Sequence, residues 1–123
     1  ALPISNTYPK GSQEFIDVFE TAVRMYPKDE IASINAAMAA LSRNDLVSAE
    51  RYLKMVNAHK QLPEYSNAMG VLMLLKGDYE HAEEYLKAAA EAGLEAAGQN
   101  LEELATKRTN AAEIEKKNKN RDK

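Results

Sequence analysis

Apolar and small residues recur four and three positions apart along most of this chain, as in Ala49, Leu53, Val56 and again in Ala82, Leu86, Ala89. That spacing keeps one face of an α-helix apolar, so it predicts amphipathic helices rather than strands. Ala97, Leu101, Leu104 and Ala105 form another such stripe, with Glu102, Glu103, Lys107 and Arg108 largely off it. Punctuation separates the stripes. Pro27, Pro63 and Gly93 interrupt them, Gly77 suits a left-handed helix end, and Asp78 can accept hydrogen bonds from the free amides that begin the next helix. Asn44-Asp45 repeats that turn chemistry, because Asn tolerates positive φ better than other non-glycine residues. The pattern predicts helices over about 12–26, 30–43, 45–58, 63–76, 78–92 and 95–109, with short loops that make neighbours antiparallel.

Composition agrees with an all-α chain. Of 123 residues, twenty are Ala, against five Gly, four Pro and eight aromatics. The longest apolar run, Val71 to Leu75, falls far short of the roughly 18 residues a membrane helix needs, so no membrane insertion is expected. Sixteen Lys and Arg against nineteen Asp and Glu give a formal charge of −3, too balanced to attract nucleic acid by bulk field. Charge is nonetheless uneven: residues 105–123 hold seven bases and three acids. No Cys is present, which excludes disulfides and thiolate chemistry. The opening Ala1 to Lys10 has neither a basic nor an apolar region of a signal peptide, and a longer parent chain is expected.

Self-comparison reveals a repeat. Residues 44–56 laid over 77–89, a shift of 33, match at six of thirteen positions: Asp, Ala, Glu, Tyr, Leu and Lys. The same shift puts Ala36-Ala37 over Met69-Gly70 and Ala40 over Met73, so the repeated unit is two helices long.

These residues resemble the tetratricopeptide repeat family, a helix-turn-helix unit with small residues midway along each helix. Met69-Gly70, Met73, Gly77, Ala82, Leu86 and Ala89 fall on the family's pattern, and Ala36-Ala37, Ala40, Asn44, Ala49, Leu53 and Val56 form a degenerate copy. Ser66 and Ser33 stand where the family has an aromatic, and Leu94 replaces its closing Pro. Phe15, Phe19, Ala22 and Pro27 are spaced like the second helix of an earlier repeat whose first helix Ala1 to Gly11 does not supply. Lys87 to Gly93 followed by Ala96 to Leu101 is similar to the junction of Sel1-like repeats, which share the architecture. The chain is also similar to repeat tails of bacterial cell-envelope proteins, through its Ala-rich stretch as a whole.

The resemblance implies a solenoid of about two and a half repeats, at about 30–62 and 63–96, with a capping helix at about 95–109. Residues 1–11 are then irregular and 110–123 form a charged, disordered tail. It implies a concave face at Ile34, Asn35, Met38, Leu41, Asn67, Val71, Leu74 and Leu75, an apolar surface for a protein or peptide segment. Only Asn35 and Asn67 could belong to a carboxylate clamp of the kind that grips chaperone tails, with no Lys or Arg beside them, so that use is rejected. The helix at 95–109, the parent chain or a second copy in a homodimer could instead cover the face. The compartment, bacterial cytoplasm or cell envelope, stays open.

Enzymatic chemistry finds little support. His59 and His81 are the only imidazoles, and no phosphate-cradling Gly loop or nucleophile elbow is present. His81 and Glu84 share a helix face, but one His with one carboxylate falls below a metal's ligand count. The expected role is a non-catalytic interaction or assembly module without cofactors, part of a larger protein. A structural appendage packed on its own parent chain is the nearest alternative, and a small metal-binding or enzymatic domain is one of another class.

Overall fold

A computed structural model describes residues 13–25, 28–56 and 62–121. They form six helices and no strand: α1 (Gln13–Met25), α2 (Glu30–Ser42), α3 (Leu46–Leu53), α4 (Pro63–Lys76), α5 (Tyr79–Glu91) and α6 (Glu95–Arg121). The chain is all-α, as its periodicity predicts. Residues 1–11, Pro27 and His59, and the side chain of Phe15, lie outside the described residues.

Helices α2, α3 and α5 begin where aspartates can serve them. Asp29 accepts from the amides of Ile31 (3.0 Å) and Ala32 (3.3 Å), Asp45 from that of Ser48 (3.1 Å) and Asp78 from that of His81 (3.3 Å). Each satisfies amides that have no partner within their own helix. The ends of α2 and α4 are built alike. The Asp45 amide bonds to the Ala40 carbonyl and the Asp78 amide to that of Met73, both at 2.9 Å, around a residue in left-handed conformation. That residue is Asn44 (φ 63°) in one turn and Gly77 (φ 84°) in the other.

Each helix packs on the next, and α2, α4 and α6 also lie side by side in order. One cluster of buried side chains joins Val23 of α1, Ile34 and Ala37 of α2, Ala49 and Leu53 of α3, and Ala68 and Leu72 of α4. A second joins Leu74 of α4, Ala82 and Leu86 of α5, and Leu104 of α6. α4 and α5 approach closely at Gly70, where an added Cβ would lie 2.6 Å from Leu86 Cγ and 3.3 Å from the Ala82 carbonyl oxygen. No side chain fits there without movement.

Two helix ends differ from the sequence reading. The third helix, expected to reach 58, stops at Leu53. Its hydrogen bonds then tighten, Met55 N bonding to Tyr52 O and Val56 N to Leu53 O, each at 3.1 Å, and this turn carries Val56 into the core. The last helix, expected to end near 109, continues to Arg121, so the segment assigned to a disordered tail is helical that far. No Gly or Pro occurs between 105 and 121 to stop it, and Glu, Lys and Ala favour its continuation. Every side chain from Thr109 to Lys119 is exposed.

Candidate functional site

The eight residues assigned to a concave face do not form one open surface. Ile34, Leu41, Asn67 and Leu74 are only 2%, 5%, 6% and 4% exposed, so for these four the surface assignment is corrected. Leu74 packs in the cluster that holds Leu86 and Leu104, and Asn67 Oδ1 accepts a 2.8 Å hydrogen bond from Asn100 Nδ2 of α6. The last helix thus lies over part of the face, one of the coverings considered from the sequence. Ile34 and Leu41 belong to the first core cluster. Of the face considered for a homodimer, Ile34, Leu41 and Leu74 are already buried within one chain, while Met38 and Val71 stay partly exposed. Asn35 stays exposed, while Met38, Val71 and Leu75 are half-buried. These four remain of the predicted surface, on neighbouring helices α2 and α4.

A recess of about 640 Å³, absent from the sequence reading, lies between α4 and α5. Tyr65 and Ser66 line it from α4, and His81, Glu84, Tyr85 and Ala88 from α5. Ser66 is small where the repeat pattern would place an aromatic, and that substitution was the available sign of unfilled space. Burial and the neighbouring Tyr85 phenol raise the Tyr65 hydroxyl above the ordinary tyrosine pKa.

At the edge of this recess His81 Nδ1 lies 2.7 Å from Asp78 Oδ2. The Asp78 carboxylate holds the imidazole pKa above its usual range, and Glu84 and Glu80 act in the same direction. Asp78 in turn is lowered by the His81 amide and ring. The pair is an exposed helix cap with a titratable partner. Among the described residues no group of three or more His, Asp or Glu comes together as a metal would require.

Two ion pairs tie neighbouring helices: Lys76 of α4 with Glu50 of α3, and Arg108 Nη1 of α6 with Glu83 Oε2 of α5 at 2.5 Å. Glu83 also holds Lys87 at 2.8 Å, and these two cations lower its pKa. Scanned against protein-family models, curated proteins and solved structures, the chain gives no match.

Proposed function

We propose that this chain is a non-catalytic helical-repeat module, tetratricopeptide-like in layout, that works through protein–protein contact. The observation that carries this reading is the order of packing: successive helices pack in sequence, α2, α4 and α6 stand side by side, and equivalent turns recur 33 residues apart. Such an array presents more surface per residue than a closed bundle, which suits assembly. The partner strip comprises Met38, Val71 and Leu75 with Asn35 at its edge, and its occupant is an amphipathic protein segment, from another protein or from the parent chain.

A photo-crosslinking side chain introduced at Met38 or Val71, with the exposed Val47 as control, tests this. Crosslinks from the first two positions and not from the control support the reading, and their mass distinguishes a separate protein from the parent chain. Equal labelling at all three positions, or none, overturns it. The metal-binding alternative is tested separately by zinc titration followed at the His81 ring resonances, where a saturable site-specific shift would establish a metal site.

A further inference from the structure

The two helix pairs treat one tyrosine in opposite ways. In the first, the Arg51 guanidinium sits over the ring of Tyr52, 4.9 Å from its centroid, so the ring's negative face already has a cation. Thirty-three residues later the stretch Glu50-Arg51-Tyr52-Leu53-Lys54 becomes Glu83-Glu84-Tyr85-Leu86-Lys87. The tyrosine is retained and its neighbouring charge is reversed.

Tyr85 therefore shares the recess with a second phenol, Tyr65, and with the Glu84 carboxylate. Glu80 and Glu91 are exposed, and helical spacing puts them on the same outward face of α5 as Glu84. None of the three is ion-paired to a Lys or Arg among the described residues, and Lys87, the one Lys or Arg of α5, is held by Glu83. Two tyrosine rings beside a carboxylate that no Lys or Arg holds are the elements that recognise an alkylammonium group.

The same chain carries that group. Residues 78–104 contain eight acids and one base, residues 105–123 seven bases and three acids, and residues 1–77 eight of each. Opposite charges are thus gathered in adjoining segments, yet the helix holds them apart. Arg108, at the root of the basic segment, reaches α5 through Glu83. Beyond it α6 runs outward, and exposed Lys116, Lys117 and Lys119 have no ion-pair partner among the described residues. A continuous helix cannot turn these lysines back onto its own α5.

We propose that the lysine-bearing end of α6 docks in the Tyr65–Tyr85–Glu84 recess of a second copy of this chain. The contact is head-to-tail, so each copy offers one arm and one recess. Glu113 and Glu115 lie one turn before Lys117 and Lys119 and limit the arm's net charge, which makes the contact weak and salt-sensitive. This inference goes beyond the interaction reading above and uses a face separate from Met38 and Val71, so either can fail alone.

Two variants of the full chain test it by light scattering: an arm variant with Lys116, Lys117 and Lys119→Gln, and a recess variant with Glu80→Gln and Glu84→Gln. All of these side chains are exposed, and circular dichroism checks that both variants fold. The wild-type chain is expected to associate with rising concentration in about 20 mM salt, with affinity falling about tenfold by about 300 mM. Each variant alone is expected to stay monomeric. Mixed together they should form a one-to-one dimer and nothing larger, because one supplies the arm and the other the recess. A wild-type chain that stays monomeric, variants that associate like the wild type, or a mixture that stays monomeric overturns the proposal. If the wild type is monomeric while a free Lys-rich peptide binds it and not the recess variant, the recess serves a foreign basic segment and the second copy is excluded.

Discussion

The pair α2–α3 and the pair α4–α5 follow one template but settle their interiors and surfaces differently. Ala37 in the first and Gly70 in the second occupy equivalent positions, yet only the second admits no Cβ, because Leu86 lies against it. Tyr52 is buried, raised in pKa by that burial and by the Glu20 carboxylate of α1, and stacked by Arg51. Its counterpart Tyr85 is half-buried beside an open recess. Ser33 is fully buried with its hydroxyl unpaired, whereas Ser66 lies on the recess wall. A repeated sequence thus specifies a shared backbone plan, while whatever packs beside each copy decides which equivalent positions become core.

The largest effect that would break or sharpen this comparison is at Leu74. Leu74→Ser should cost about 4 kcal/mol in denaturant unfolding, from lost burial and a poorly placed hydroxyl, while Leu75→Ser, at a half-buried position, should cost about 1 kcal/mol. Equal costs would show that α6 does not seal the second pair. Next comes Gly70→Ala, expected to cost about 2 kcal/mol through overpacking against Leu86, with Ala37→Gly costing about 1 kcal/mol through helix propensity and a small void. A neutral Gly70→Ala, measured by urea unfolding, would show that the second pair is no tighter than the first.

A smaller effect of opposite sign is expected at Ser33. Ser33→Ala removes a buried, unpaired hydroxyl and should stabilise the chain by about 1 kcal/mol, whereas Ser66→Ala should change it little. The melting temperatures of the two variants make the comparison directly.

The smallest effect is pH-dependent, and its alkaline limb belongs to the second pair alone. His81 has a raised folded-state pKa, so its contribution is complete below its ordinary 6.5 and is lost as pH rises through the raised value. Asp78 is lowered, so its contribution is present above 3.8 and is lost as pH falls through the lowered value. The pair therefore stabilises most between these two limits. Wild type should melt slightly above His81→Asn near about pH 5.5, with the difference gone near about pH 8.5. At the equivalent cap Asp45, lowered by Ser48, only the acid limb is present.

Much of the backbone plan was legible in the sequence. Gly77-Asp78 and Asn44-Asp45 mark turns whose hydrogen bonds follow local chemistry, and the span of α4, Pro63 to Lys76, matches its expectation. Local rules also explain why the two misread ends were difficult. Val56 leaves α3 early for the core, a gain that arises only once other helices are in place. The polar stretch after Ala105 carries no stop signal, and neither its charge nor Asn110, Asn118 and Asn120, which suggested a disordered tail, is enough to break a helix. The surface was less legible, because Ile34, Asn67 and Leu74 owe their burial to helices that periodicity on α2 or α4 does not reveal. The recess had its visible sign in the small Ser66, and the exchange of Arg51 for Glu84 within an otherwise repeated five-residue stretch marked the change of charge beside it.

The pairing of Asn67 with Asn100 has one further consequence. Asn100 and Arg108 fasten α6 at two points eight residues apart, about 12 Å along its axis. A rod held at one point can swivel, and held at two it becomes a lever rigidly coupled to its base. Slipping α6 by one turn would separate both amides from their partners and forfeit the Arg108 bond, so the two contacts act together as a register key. The free arm beyond Arg108 extends about 16 Å to Lys119. A reporter fixed there would rotate with the whole molecule rather than on its own, making the end of this helix a pointer to the orientation of the domain.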